Sequence, residues 1–252
     1  MNPAGKVVWI TGASSGLGAH VARRLLARGA TVVGTARRQD RLEQVAGSHS
    51  RFEVAPGDVT DVDAMRDIAD RIRARHNQID LALLSAGIWK QMPVKEFSAQ
   101  TIREHLEVNT LAVANIAEVV LPDMLDRRGG TIAGVASLAG YRGLPSAAAY
   151  SASKAATIAL LESLRIEAGR YGVQITTINP GFFRSEMTAE NDFPMPFLVD
   201  VEDAADTVVK GLIQDRQEIA FPLPMVLGAK AMRLLPVRLH AAAFRRAVRR
   251  AR

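Results

Sequence analysis

Cysteine is absent from the 252-residue chain, and histidine is scarce, with five residues. Without cysteine the chain forms no disulfide, and both thiolate catalysis and zinc binding by cysteine sulfur are excluded. The absence of cysteine is also consistent with a cytoplasmic location. With so few histidines, there are few candidates for the base of a serine–histidine–acid catalytic triad.

Long hydrophobic runs are missing as well. No uninterrupted apolar run approaches the ~20 residues that a membrane-spanning helix needs. The apolar run near the amino terminus has four residues, which is too short for the core of a signal peptide. The composition, 48% hydrophobic and 23% charged, is ordinary for a globular protein. We therefore expect a cytoplasmic protein with one large core.

Acidic residues are lacking from the last part of the chain. After residue 220 there are eight lysines and arginines and no aspartate or glutamate, so the net charge of +6 leaves about −2 on the rest. A nearly neutral body does not indicate nucleic-acid binding. A basic amphipathic helix in this tail has two interpretations: it makes peripheral contact with an anionic membrane, or it is a solvated helix that covers the cleft or a neighbouring subunit.

Short apolar segments alternate with longer amphipathic ones, which is typical of a parallel sheet with crossover helices. The pattern predicts one α/β catalytic domain over residues 1–222: a Rossmann-like, doubly wound parallel sheet of about seven strands with helices on both faces. Residues 223–252 are predicted to form a basic helical extension and not a separate domain. The predicted strands are 6–11, 31–35, 51–55, 80–85, 130–136, 173–179 and 218–222, and the predicted helices include 17–27, 61–75, 101–125, 147–170 and 201–214.

Glycine and polar residues follow the predicted strands, at the sheet edge where such folds bind ligands. The segment TGASSGLG, residues 11–18, follows the first strand and opens a helix, where backbone N–H groups approach a pyrophosphate. The same letters contain G-x-S-x-G around Ser14, the pattern of a serine hydrolase. That alternative lacks a partner, because no histidine follows a late core strand.

Two arginines, Arg37 and Arg38, follow the second strand, where NAD-binding proteins carry an acid that accepts the ribose hydroxyls. A guanidinium instead pairs with the 2′-phosphate of NADP. We therefore predict NADP(H) rather than NAD(H), with Arg37 as the main contact. Arg38 taken alone equally suits an exposed surface position.

The segment AYSASK contains two candidate reactive pairs. Ser151 and Lys154 form S-x-x-K, in which a lysine activates a serine for acyl transfer, but no KTG or SDN element accompanies them. Tyr150 and Lys154 share one helix face, and an ammonium beside a phenol is expected to lower the tyrosine pKa from its usual ~10. Such a tyrosine exchanges a proton with a carbonyl or alcohol oxygen. Ser137, at the end of the preceding strand, would hydrogen-bond the same oxygen.

The motif T-G-x-x-x-G-x-G together with Ser137, Tyr150 and Lys154 resembles the short-chain dehydrogenase/reductase family. GDVTD (57–61), LLSAG (83–87), EVNT (107–110) and INPGFFRSEM (178–187) are similar to further family motifs, and the resemblance covers roughly residues 5–222. Two positions depart from the family pattern: Ser85 replaces the usual asparagine, and Ser185 replaces the usual threonine. We expect the first change to affect the rigidity of the cofactor site slightly.

The resemblance implies a role for each motif residue. Tyr150 would be the general acid/base, and Ser137 would orient and polarise the carbonyl. Lys154 would bind the ribose and tune Tyr150, and Asn109 would hold a water in a proton relay. The implied cofactor-binding set is Gly12, Ser14, Ser15, Gly16, Leu17, Gly18, Arg37, Arg38, Asp58, Val59, Ser85, Ala86, Gly87, Tyr150, Lys154, Pro180, Gly181, Phe183 and Ser185.

Apolar residues after the fourth, fifth and sixth strands predict a hydrophobic ketone, aldehyde or alcohol as substrate. The predicted substrate set is Ser137, Leu138, Tyr141, Tyr150, Phe182 and Met187. Further wall candidates are Trp89, Leu144, Phe193, Met195 and Phe197, and for the last three packing under a lid or against another subunit is an equal alternative. No metal site is predicted.

The implied function is an NADP(H)-dependent oxidoreductase that transfers hydride between the nicotinamide and such a substrate. Two alternatives stay open: a dinucleotide-sensing regulator without chemistry, and a lipid-related ketoacyl reductase acting at a membrane surface. Segments 110–125 and 147–164 are apolar around much of their circumference. Since the family pairs these helices between subunits, the resemblance implies a homodimer or homotetramer.

Overall fold

A computed structural model describes residues 1–189 and 191–250 of the chain, without the side chains of residues 246–250. It contains a seven-stranded sheet in the order β3-β2-β1-β4-β5-β6-β7, and all neighbouring strands are parallel. The predicted doubly wound sheet is confirmed, with its switch point between β1 and β4. The strands are β1 (Val7–Thr11), β2 (Thr31–Thr35), β3 (Phe52–Val54), β4 (Leu81–Leu84), β5 (Gly130–Val135), β6 (Val173–Pro180) and β7 (Glu218–Phe221).

Helices cover both faces of the sheet. On one face, Val8 and Ile10 of β1 pack in a core cluster with residues of α1 and α8, and on the other face Val7 and Trp9 pack with residues of α3 and α5. Alternate residues of one strand thus enter different cores, which explains its continuously apolar sequence. The helices are α1 (Gly16–Leu26), α2 (Gln39–Ala46), α3 (Val62–His76), α4 (Ala99–Leu106), α5 (Ala112–Asp126), α6 (Ala148–Ala168), α7 (Glu186–Ala189), α8 (Val201–Ile213), α9 (Leu223–Leu234) and α10 (Val237–Arg250).

The helix predicted over residues 101–125 is not continuous. A π-helical turn at Glu107–Leu111 separates α4 from α5. The combined run Ala99–Asp126 is long and apolar enough to cross a membrane by length and composition, with a mean hydropathy of 1.3. Half of that apolar window is buried inside the protein, where α4 packs on α6 and α5 packs on α3. The run is therefore a core helix with a local irregularity.

The predicted extension begins with α9, which lies against β7 and against a 3-10 turn at Leu138–Gly140. Val226 of α9 is buried in a small third core cluster with Leu138 and Tyr141. The helix α10 follows Pro236, whose carbonyl accepts the N–H groups of the first turn. Of the basic residues predicted for the tail, Arg252 and the side chains of Arg246, Arg249 and Arg250 lie outside the described residues.

Candidate active site

A cavity of about 1860 Å³ opens at the carboxyl ends of the strands. Sites for one drug-sized ligand measure roughly 300–1,000 Å³, so this cavity has room for a dinucleotide and a second molecule together. Every residue of the predicted cofactor set lines the cavity except Gly18, and every residue of the predicted substrate set lines it. The residue types that the sequence singled out after separate strands therefore meet in one place.

The glycine-rich loop after β1 is shaped by close backbone approaches. Gly12 has φ +66°, and a Cβ atom there would lie 2.7 Å from the backbone N of Ala86. Gly16 also has positive φ, and a Cβ atom there would meet only the Cβ of Ser185, at 3.8 Å, so the loop is open on this side. A Cβ on Gly18 would lie 2.4 Å from the carbonyl oxygen of Gly12. Gly18 thus packs α1 against the loop and does not line the cavity, and its contact with the cofactor stays a prediction.

The first turn of α1 fits a pyrophosphate. Its N-cap residue, Ser15, makes no capping hydrogen bond through its side chain, and the first turn carries no acid. The first N–H groups of a helix lack partners within the helix, and the helix dipole makes this end positive. With Ser14, Ser15 and Gly16 on the cavity wall, the residues present suit the phosphates of a dinucleotide.

Both predicted arginines line the cavity, and Arg38 makes the more specific contacts. Its Nη2 atom donates to Ser15 Oγ at 3.3 Å and lies 3.5 Å from a Glu186 carboxylate oxygen. Arg41, at 3.8 Å, reaches the same carboxylate. Arg41 was not singled out in the sequence, although its place three residues after Arg38 on a helix start was a usable signal. Arg37, Arg38 and Arg41 thus all follow the end of β2, and two of their guanidinium groups contact Glu186.

Residues after β3 and β4 complete the wall at the cofactor side. The Asp58 carboxylate accepts the N–H of Thr60 at 3.0 Å and its hydroxyl at 2.8 Å, which fixes the turn after β3. Gly87 lies between two predicted catalytic residues, since a Cβ there would be 3.0 Å from Asn109 Oδ1 and 3.5 Å from Lys154 Nζ. The backbone of this segment therefore runs directly beside the predicted catalytic residues.

Ser137, Tyr150 and Lys154 come together on the cavity wall, as predicted. Ser137 Oγ accepts the N–H of Ala139 at 3.1 Å and donates to the Pro180 carbonyl at 3.4 Å. Lys154 Nζ donates to the Val135 carbonyl at 2.8 Å and lies 5.8 Å from the centre of the Tyr150 ring. The serine at the end of β5 and the phenol on the first turn of α6 thus face one space.

The pKa shifts of this group differ from the sequence-based expectation. Burial raises the pKa of Tyr150 above its usual value, and the Ser137 hydroxyl opposes that rise. Burial lowers the pKa of Lys154 to about 8. The expected lowering of the Tyr150 pKa by Lys154 is not found: burial raises this pKa, and the Lys154 amine donates to the Val135 carbonyl.

Asn109 is fully buried in the π-helical turn and does not line the cavity. Its Oδ1 accepts the N–H of Ile88 at 2.8 Å, and its Nδ2 donates to the Ile88 carbonyl at 3.1 Å and to Ser153 Oγ at 3.0 Å. Because protein partners occupy both amide atoms, the structure shows a residue that positions the strand-end segment after β4. The water-holding role of Asn109 stays a prediction.

Ser151, the alternative nucleophile, is buried and does not line the cavity. Its Oγ has no hydrogen-bond partner among the residues that the structure describes. Lys154, its partner in the S-x-x-K pattern, donates to the Val135 carbonyl. The acyl-transfer interpretation therefore lacks an accessible serine.

The substrate side of the cavity has an aromatic wall. The Trp89 ring meets the Tyr150 ring edge to face, with centroids 5.1 Å apart, and Phe193 packs on Trp89 at 6.4 Å. Trp89 Nε1 donates to Asn191 Oδ1 at 2.9 Å, which fastens the segment after β6 over the tyrosine. Of the further wall candidates, Met195 alone does not line the cavity; its sulfur accepts Asn191 Nδ2 at 3.3 Å.

The hydroxyl of Tyr141 is not available to a substrate. It donates to Glu218 and accepts Asn179 Nδ2 at 3.3 Å, while Lys230 of α9 binds the same glutamate at 3.1 Å. Burial, followed by the Glu218 carboxylate, raises the pKa of Tyr141. The predicted substrate contact is therefore limited to its ring, and the hydroxyl anchors α9 to the site.

Several residues of the extension line the cavity although none of them was predicted from the sequence to do so. Their signal was a run of apolar residues at helical spacing, which the basic character of the tail obscured. They are Pro224, Met225, Gly228, Ala229, Met232 and Phe244.

His105 was also missed. It is fully buried, its Nε2 accepts the backbone N–H of Lys90 at 3.1 Å, and its Nδ1 lies 2.8 Å from the Thr101 carbonyl. This pairing makes Nδ1 the protonated nitrogen and holds the backbone beside Trp89. A lone histidine in a helical pattern gave no signal of such a contact.

Known proteins resemble the chain over most of its length. The profile of the short chain dehydrogenase family matches residues 6–194. An "Uncharacterized oxidoreductase" of Myxococcus xanthus is 38% identical over 243 residues, which are 94% of this chain and 95% of that protein.

Solved structures agree with the sequence relatives. A short chain dehydrogenase of Burkholderia cenocepacia, in complex with NADP, is 29% identical and superposes with a TM-score of 0.84 over 96% of this chain and 98% of that one. A short-chain dehydrogenase of Streptomyces avermitilis is 25% identical, with a TM-score of 0.82 over 98% and 99%. The matched profile and the full-length relatives show that this chain belongs to the short chain dehydrogenase family of oxidoreductases.

Proposed function

We propose that the protein is an NADP(H)-dependent oxidoreductase that interconverts hydrophobic ketones or aldehydes and the matching alcohols, with Tyr150 as the general acid/base. The observation that carries the proposal is the shared cavity. Tyr150 and Ser137 lie on the same wall as the glycine-rich loop and the arginines. A protein that only sensed a dinucleotide would have no use for a phenol and a serine hydroxyl facing one space beside the cofactor site.

The cofactor would lie across the carboxyl ends of the central strands. Its pyrophosphate would bind at the start of α1, and Arg38 and Arg37 would bind a 2′-phosphate with help from Arg41. The NADP complex of the Burkholderia relative supports this choice over NAD. Lys154, buried on α6 beside Gly87, would donate to ribose hydroxyls. When bound, the nicotinamide supplies or accepts the hydride.

The protein residues then handle the proton. In reduction, the Ser137 hydroxyl would turn from its long contact with the Pro180 carbonyl to donate to the substrate oxygen and hold it beside the phenol. As the carbonyl carbon receives hydride, its oxygen takes the proton of Tyr150, and in oxidation the proton returns to Tyr150. The raised pKa of Tyr150 keeps the phenol protonated near neutral pH, which favours its role as the acid of the reducing direction.

The wall beyond Tyr150 supports a hydrophobic substrate. Trp89, Phe182 and Phe193 form an aromatic cluster beside the phenol. Met225 and Met232 of α9 border the same cavity. Apolar rings and thioethers offer contact area and few hydrogen bonds, so a substrate gains affinity by burying apolar surface.

The test is turnover of matched pairs of ketones of equal size, one wholly apolar and one bearing a carboxylate. We expect reduction with NADPH to favour the apolar member by at least about tenfold in kcat/KM, since a charge buried without a partner is costly, and to be weaker with NADH. Oxidation of NADPH is followed by its absorbance. The Ser137→Ala variant is the control, and its turnover should be lower if the reaction takes place at this site. Equal turnover of both members, or turnover undiminished by Ser137→Ala, would contradict the proposal.

A homodimer would use the outer side of α6. Ala152, Ala155 and Ala159 are exposed along one stripe of this helix, and Ile166 continues it with 77% of its side chain exposed. The opposite side of α6 carries Lys154 and faces the cavity. We infer that the stripe packs against a second subunit; location in the cytoplasm stays a prediction.

A further inference from the structure

Two faces of α9 are apolar, and they have different surroundings. Met225, Ala229 and Met232 line the cavity. Leu223, Leu227 and Leu234 occupy the other face at positions i, i+4 and i+11, and their exposed fractions are 68%, 61% and 86%. A wall of the cavity therefore carries a row of leucines in contact with solvent.

The leucine row continues at the start of α10. Val237 is 77% exposed and Leu239 is 56% exposed. Val94 and Lys95 also line the cavity. Val94 is 88% exposed. Large apolar patches of this kind on a protein surface mark a place where something binds.

The positive charge of α9 and α10 indicates that the partner is anionic. The sequence after residue 220 contains eight cations and no anion. Among the described side chains of α9 and α10, Lys230 alone forms an ion pair, with Glu218; Arg233, Arg238 and Arg245 have none. Apolar side chains beside unpaired cations are the composition of helices that lie in the interface of anionic bilayers.

We propose that α9 and α10 dock on an anionic phospholipid surface, with the leucine row in the acyl boundary and the arginines among the headgroups. The cavity then opens beside the bilayer, because the docking helix α9 is also its wall. A substrate dissolved in the membrane reaches Tyr150 without crossing water; this last step rests on the proposed function, whereas the docking itself does not.

A second copy of the chain fits this surface less well than a bilayer. In a two-fold interface the same patch meets itself, so the unpaired arginines of α9 and α10 would oppose those of the second copy. Such like-charge contacts disfavour association. An anionic surface instead neutralises them.

The experiment measures co-sedimentation of the full chain with vesicles of phosphatidylcholine, with and without phosphatidylserine. We expect binding that needs phosphatidylserine and weakens with added salt. Arg238→Gln/Arg245→Gln should lower the partition coefficient about fivefold per arginine, and Leu227→Gln/Leu234→Gln should lower it about tenfold or more. Turnover of a water-soluble ketone should be unchanged in both variants, so a failure of docking is distinguishable from a failure of the proposed activity.

Matched controls lie elsewhere on the surface. Arg71→Gln/Arg75→Gln removes the same charge from exposed positions of α3. Tyr171→Gln removes an exposed aromatic side chain just before β6, at the amino ends of the strands and away from the cavity. Both variants should bind vesicles like the unmodified chain. Equal binding to vesicles without phosphatidylserine, or no binding to either, would overturn the proposal. So would a lower molar mass in solution for the leucine variant, because the row would then be an interface between copies.

Discussion

Burial changes the pKa of Lys154, a residue whose position in the site was predicted correctly from the sequence. The spacing of Tyr150 and Lys154 predicted a shared helix face, and the structure brings both to the cavity. The direction of the two pKa shifts was not predictable, since burial in the folded chain raises the pKa of Tyr150 and lowers that of Lys154. Similarly, the hydroxyl of Tyr141 is directed by Glu218, which lies 77 residues further along the chain.

The lowered pKa of Lys154 predicts a pH-dependent stability of the unliganded protein. Between the folded pKa of about 8 and the ordinary value of 10.5, the unfolded chain holds a proton that the folded chain has lost. Stability therefore rises with pH across this window, by on the order of 1.4 kcal/mol per pH unit from this group. Below pH 8 both states are protonated and the contribution is constant.

The variant Lys154→Met removes this titration while keeping an apolar stem of similar length. Urea unfolding at several pH values from 8 to 10 should give a free energy that rises with pH more steeply for the unmodified chain than for the variant. Equal slopes of the free energy of unfolding against pH for the two proteins would show that the lysine keeps its proton in the folded state.

At the scale of elements, the π-helical turn shows what periodicity fails to reveal. The strands were predicted closely because residues buried on both faces give continuous apolar runs. The turn at Glu107–Leu111 widens the helix by one residue without interrupting its apolar pattern, so the sequence predicted one helix. Its purpose is visible only in the fold, where Asn109 binds both backbone polar groups of Ile88.

We expect Asn109→Ala to destabilise the fold, because it removes the side chain that pairs with the part-buried backbone N–H and carbonyl of Ile88. The cost should be about 1–3 kcal/mol in the free energy of unfolding, measured by urea titration. Glu118→Ala, on the exposed side of α5, serves as the control and should change stability by less than about 0.5 kcal/mol. A loss for Asn109→Ala no larger than for the control would contradict the positioning role.

At the scale of the whole molecule, one face of α6 faces the site and the other faces outward. The family resemblance and the apolar circumference of the helix together implied a homodimer or homotetramer, and the exposed alanine stripe of α6 is a candidate surface for that association. The role of the extension was less predictable. Its charge was plain in the sequence, but the attachment of α9 to the cavity depends on Glu218, Tyr141 and the cluster around Val226.

The dimer prediction is tested with Ala155→Arg/Ala159→Arg. Two large charged side chains on a closely packed helix face should prevent association, and light scattering should then give the mass of one chain. Ala74→Arg, at an exposed position of α3, is the control and should keep the mass of the unmodified protein. An unchanged mass for the α6 variant would place the interface elsewhere.

The proposed function requires that Tyr150, and not Ser151, carries the chemistry of this site. The direct measurement is the rate of ketone reduction by NADPH for two variants, Tyr150→Phe and Ser151→Ala, with NADPH binding followed separately by fluorescence. Tyr150→Phe should bind NADPH normally and lose about 10²–10⁴-fold in kcat, the usual share of a general acid, while Ser151→Ala should keep its activity. Full turnover by Tyr150→Phe, or loss of turnover by Ser151→Ala alone, would contradict the account.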